Sequence, residues 1–192
     1  MIFYATKETM QRYKLKTPEE ITSENALIAR AVAEKERGNQ LFEWSCKLFY
    51  FDGRKSLQVM HYETGLVIFL IDIKVNEIEF AANAVAEYLM DMYSSDPIMI
   101  NALKRYYASS PIVCFDKITN RSIITKMNHI QSDWALDGYR FYDYIRDGIF
   151  HTKKLNRDVN DYLFTKKVNQ KKQWFIPYDL FAQTIKEKFA QR

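Results

Sequence analysis

Between Phe42 and Leu48 every second side chain is apolar (Phe42, Trp44, Cys46, Leu48), the period-2 signature of a strand with one buried face. The run closes on Asp52-Gly53, a strong hairpin signal, and a second strand-like run over 56–62 returns from it. After Glu63-Thr64-Gly65 the stretch 66–73 is apolar on both faces, as a central strand is. Together these predict an antiparallel meander. The period then changes: Val75, Ile78, Ala82, Val85, Leu89 and Met92 fall three or four apart and predict an amphipathic helix over 75–93. A second helix is predicted from Pro97 to about Ala108, then a buried strand over 111–115 and a helix over 120–136.

Upstream, residues 2–6 read as a short strand whose Thr6 can cap a helical turn. Residues 17–38 read as a helix, with Pro18 and two glutamates in its first turn, an apolar stripe of Leu27, Ile28, Ala31 and Val32, and Gly38 as its stop. Past Gly138 the spacing is again helical: Phe141, Ile145 and Ile149, then Leu155, Val159 and Leu163, and finally Phe181, Ile185 and Phe189 after Pro177. Strands and helices arrive in runs rather than in alternation, so the expected class is α+β: an antiparallel sheet of four to five strands covered by helices, with a helical C-terminal segment. The expected organisation is a core over 1–137 with an extension over 138–192 packed on it, or the two as one single domain.

Composition narrows the class without naming an activity. An apolar share of 47 % with 15 % aromatics suits a chain that folds around a core. No apolar run approaches the roughly 18 residues of a membrane span, and the first residues lack the features of a signal peptide. A cytoplasmic protein with no membrane contact and with buried, reduced Cys46 and Cys114 is therefore expected, Cys114 being inert among its apolar neighbours. No phosphate loop, dinucleotide-binding glycine motif, nucleophile elbow or metal-ligand spacing is present, so neither cofactor nor metal is expected.

Two features carry candidate chemistry. On a helix starting at Asn120, Arg121, Thr125, Asn128 and Ser132 share one polar face, opposite Ile123, Ile124, Met127, Ile130 and Trp134. An arginine in a first turn opposes the helix dipole, so it is either a solvated residue paired to a neighbour such as Asp116 or part of an anion site. The second feature is charge. From His151 to Lys172, seven cations (Lys153, Lys154, Arg157, Lys166, Lys167, Lys171, Lys172) face two acids, Asp158 and Asp161, within a chain of net charge +4. Such a tract is either a solubilising surface or a polyanion contact. Aromatic clusters flank it, over 139–145 and 173–181.

The combination of Trp44 and Leu48 on a strand, Asp52, Arg54 and Lys55 in a hairpin turn, and Asn120, Arg121, Ser122, Met127 and Asn128 at a helix start resembles a family of uncharacterised bacterial and phage-associated proteins, a domain of unknown function. The similarity is carried by residues 1–135 and implies no activity. It does suggest a pairing: if the strands bearing them are neighbours, Arg54, Lys55, Arg121, Asn128, Asp52 and Asp116 form either an ion-pair network or a pocket for a phosphate or carboxylate. Three functions follow as expectations. The first is a non-catalytic binding module whose basic C-terminal region contacts nucleic acid or another polyanion. The second is an enzyme acting on a small anionic ligand at the Arg54, Lys55, Arg121 and Asn128 cluster. The third is a protein–protein interaction module. Oligomeric state is not legible in the sequence.

Overall fold

A computed structural model describes residues 1–190. The predicted meander forms, with β2 (Glu43–Phe51), β3 (Arg54–His61) and β4 (Val67–Ile71) antiparallel and Trp44 opposite His61. Asp52 and Gly53 both take positive φ, 49° and 72°, the pair of left-handed residues that a two-residue hairpin needs. Two more strands join this meander in parallel: β1 (Ile2–Ala5) lies on β2, and β5 (Cys114–Lys117) on β1. The sheet is thus mixed, in the order β4-β3-β2-β1-β5. Its parallel half has no local signature, because it pairs residues 41 positions apart between β1 and β2 and 112 apart between β1 and β5.

Alternation sends the strands' side chains to two faces, both covered. Phe3, Ala5, Trp44, Cys46, Leu48, Leu57, Val59, Ile68 and Leu70 form one face. It packs on α1 (Lys7–Tyr13), α3 (Ala81–Met92), α4 (Pro97–Ser109) and α7 (Pro177–Phe189). Phe49, Met60, Val67 and Phe69 point the other way, onto α5 (Arg121–Leu136), α6 (Thr152–Asp158) and Phe141 and Tyr144 of the segment between them. Asn120 starts α5 as predicted, its Oδ1 accepting the amides of Ser122 and Ile123 at 3.1 and 3.3 Å.

Two elements depart from the sequence reading. The helix expected over 17–38 is shorter: α2 runs Ala26–Glu36, after a turn over 17–25. Its buried positions are Ala29, Ala33 and Glu36, while Leu27 is 76 % exposed. Small residues let the helix approach Ile2 and Cys114 closely, so Leu27 and Ile28 of the expected stripe turn outward while Val32 packs at the margin of the contact. In the C-terminal part, α6 and α7 are helical as expected, but two hairpins interrupt them: β6 (Ile145–Arg146) with β7 (Ile149–Phe150), and β8 (Phe164–Val168) with β9 (Lys171–Phe175). The first turns on Asp147-Gly148, with φ 51° and 73°, the same chemistry as Asp52-Gly53; the second turns on Asn169 and Gln170, with φ 49° and 65°.

α6 closes the β4 edge in an unusual way. The Asn160 carboxamide accepts the Val67 N–H and donates to the Val67 carbonyl, both at 2.7 Å. One turn earlier, Asn156 does the same for Phe69, at 2.7 and 3.5 Å. Two side-chain amides thus take the place of a sixth strand.

Candidate functional site

The polar residues singled out in the sequence do not converge. β3 and β5 are separated by β2 and β1, which at about 4.8 Å per strand puts their ends some 14 Å apart. All but Arg121 are engaged where they stand. Arg54 pairs with Asp72, and Lys55 lies 5.9 Å from the Tyr50 ring centre. Asp52 accepts the Phe141 amide at 2.6 Å and so ties the C-terminal segment to the β2–β3 turn. Asn128 accepts a hydrogen bond from Lys47, and Asp116 is paired with Arg37 at 3.0 Å. Arg121 is exposed and makes no ion pair among the described residues. The polar stripe of α5 is largely a solvated face.

The basic tract also divides. Lys153 lies 3.7 Å from Asp91, Lys154 pairs with Asp158, Lys166 is 3.4 Å from Glu63, and Arg157 stacks on the Tyr178 ring at 3.3 Å. Lys167, Lys171 and Lys172, all on the β8–β9 hairpin, make no ion pair among the described residues, and neither does Arg157, which is held by its ring contact alone.

A concave site lies elsewhere, at the carboxyl ends of the parallel strands. β1 leads through Thr6 into α1 on one face of the sheet, while its neighbour β5 leads through Ile118, Thr119 and Asn120 into α5 on the other. Connections that leave adjacent parallel strands toward opposite faces open a crevice between them, the usual ligand position in sheets of parallel strands. Local chemistry fixes both walls. Thr6 caps α1 with its hydroxyl on the Thr9 amide at 3.3 Å, and the Thr9 hydroxyl accepts the Leu48 amide at 2.8 Å, pinning the helix to β2. α1 ends at Lys14, whose left-handed φ of 53° turns the chain back over the groove. Beyond it, the Glu20 carboxylate accepts the Thr17 amide and the Lys117 ammonium, each at 3.0 Å. Those bonds hold the Glu20 carboxyl below its usual range and raise Lys117 above its own.

The resulting groove has a volume of about 760 Å³. Ala5, Met10, Leu15 and Ile118 give it an apolar floor, and Lys7, Lys14, Lys16 and Lys117 surround it with Glu20 as the one acid. Four lysines against one glutamate leave a local surplus of three positive charges.

Across the β5–α5 connection, a smaller cleft of about 420 Å³ shares Lys117 and Thr119 with the groove. Its wall is a closed polar network. Buried Glu43 accepts the Tyr4 hydroxyl at 2.9 Å and the Gly38 amide at 2.7 Å, while Arg37 holds Asp116. Burial, reinforced by Glu43, drives the Tyr4 hydroxyl's pKa upward, so Tyr4 is a fixed donor. No cysteine or histidine lines either depression. Cys46 and Cys114 are both free and buried, with burial pushing their thiols to about 12 and about 11. Among the described residues no three metal-ligating side chains cluster, and no helix is long and apolar enough to cross a membrane.

Sequence reasoning missed the groove because its lysines come from segments about 100 residues apart and carry no motif. The available signal was a strand followed at once by a capping residue, at Thr6 and again at Asn120; it becomes a site only once the two strands are known to be parallel neighbours.

A family model described as a domain of unknown function (DUF6933) matches residues 2–180. The match runs well past Gly138, so the kinship extends beyond the 135 residues whose motifs suggested it. No curated protein and no solved structure matches the chain.

Proposed function

We propose that this chain, which belongs to the DUF6933 family, is a binding module for a small anionic molecule with an apolar part, held in the groove at the carboxyl ends of β1 and β5. The observation that carries this reading is the pairing of an apolar floor with a nearly one-signed rim. Apolar surface supplies affinity, and lysines set around it select a carboxylate or phosphate head group. Binding rather than turnover is supported by the lining itself. It offers ammonium groups, the Thr119 hydroxyl and the Gln11 carboxamide, while its single carboxylate, Glu20, is already occupied by Thr17 and Lys117.

The test is ligand-dependent thermal stability with decanoate and phenyl phosphate, against decanol as the neutral counterpart of decanoate. A ligand present at about 100 times its Kd stabilises the fold by about 2.7 kcal/mol, a readily measured rise in Tm. Anionic probes are expected to raise Tm where decanol does not. A Lys7→Gln/Lys16→Gln variant, which leaves the Lys117–Glu20 wall intact, should lose most of that rise. Equal stabilisation by decanol, or a rise that survives in the variant, would refute the assignment.

A further inference from the structure

The β8–β9 hairpin presents two unlike faces. Along one, Phe164 is buried against Gly65 beneath the Lys126 ammonium, and Lys166 is paired with Glu63. That face anchors the hairpin to the body. The other carries Thr165 and Trp174 as one cross-strand pair and Lys167 and Lys172 as the next. Trp174 is 60 % exposed, whereas Trp44 and Trp134 are buried at 0 % and 6 %. Lys172 stands with its ammonium 5.1 Å from the Trp174 ring centre. No acid occurs anywhere over 164–175, and Lys171 adds a further cation beside the turn.

A surface selected only for solubility would not be built this way. Like charges directly opposite each other weaken an antiparallel pair, and an exposed indole offers a large apolar face to water. Both features become favourable when phosphates lie between the lysines and a base covers the indole. We infer that this face, with Trp174, Lys167 and Lys172 at its centre, is a contact platform for single-stranded nucleic acid. A single strand fits and a duplex does not, because the indole can stack only on a base free of its own neighbours, while the paired lysines, one step toward the turn, meet the adjoining backbone phosphates. The site is independent of the lysine-rimmed groove and shares no residue with it.

The experiment uses the intrinsic fluorescence of the whole chain, in which Trp174 is the one exposed indole. Titration with 12-mers of oligothymidine and of oligouridine at 20–200 mM salt should quench it saturably. Two phosphate contacts predict a log–log salt slope of about −1.4, and a Lys167→Gln/Lys172→Gln variant should lose that slope. Trp174→Phe should retain binding. Trp174→Ala, followed by anisotropy of a labelled oligonucleotide, should weaken it roughly 5- to 150-fold with the slope unchanged. The Lys7→Gln/Lys16→Gln variant should bind as the wild type does, which separates this result from the fate of the groove. Absence of quenching at 20 mM salt overturns the inference. So do a 12-base-pair duplex or heparin binding as tightly as the single strand, and undiminished binding by Trp174→Ala.

Discussion

His61 should make the fold sensitive to acid by an amount that can be worked out in advance. Its ring is fully buried, with Nε2 at 2.9 Å from the Leu41 carbonyl and Nδ1 at 2.9 Å from the Thr64 hydroxyl. That arrangement suits a neutral imidazole, with Nε2–H donating and Nδ1 accepting. Burial lowers its pKa from 6.5 to about 4, against a smaller upward pull from the Leu41 carbonyl. A base whose folded pKa is depressed binds fewer protons in the folded state than in the unfolded chain between those two values. Its stability contribution is therefore complete above about pH 6.5, falls as the pH drops from there toward 4, and is level below that. Between pH 7.5 and pH 4.5 the two pKa values imply a loss of about 2–3 kcal/mol from this residue alone. Urea unfolding of the wild type and of His61→Gln at both pH values isolates the term, since the carboxylates titrate alike in both proteins. The variant should start less stable at pH 7.5 but lose about 2–3 kcal/mol less on acidification. Equal losses in the two proteins, or an NMR titration of the folded His61 ring near pH 6.5, would refute the argument.

Three further outcomes are expected. Asn160→Leu leaves the buried Val67 N–H and carbonyl without partners, at about 1–3 kcal/mol each, so urea denaturation should show a loss of at least about 2 kcal/mol and the Val67 amide should exchange faster; a change within 0.5 kcal/mol contradicts the described pairing. Gly65 has φ of 73°, and a Cβ there would penetrate the Phe164 ring, so Gly65→Ala should cost about 1–2 kcal/mol from the backbone alone and more in total. Repeating it in a Phe164→Ala background should leave only the backbone part, and an unchanged cost would exclude the clash. Finally, Cys46 and Cys114, with thiols at about 12 and about 11, should resist Ellman's reagent at pH 8 until guanidinium unfolds the chain; prompt reaction of either in the native protein would show that the burial is wrong.

How far the sequence reveals this molecule depends on the range of the interaction. The meander was legible because alternation and Asp52-Gly53 are local, and α5 because Asn120 and its apolar face are. The parallel pairing of β1 with β5 was not, since nothing in residues 2–5 points to residues 114–117. α2 was misread in its facing because alanines, not leucines, make its close contact. In the C-terminal part, Ile145 and Ile149 lie four apart as in a helix, yet they sit on opposite sides of a hairpin whose Asp147-Gly148 turn repeats the signal already read at Asp52. The candidate site shows the same limit more sharply. Clustering along the chain drew attention to the tract over 151–172, but four of its seven cations are spent on neighbours, while the groove lysines gather only through the fold.

The carboxamides on the β4 edge also set an order of events at the ribosome. Val67 is synthesised 93 residues before Asn160, so at about 5–20 residues per second the strand spends roughly 5–20 s with its outer N–H and carbonyl groups unmatched. A nascent chain in that interval exposes an apolar strand open to pairing with any other extended segment. Chains stalled or cut before α6 should therefore associate through β4 even though their meander is complete, until Asn156 and Asn160 close that edge.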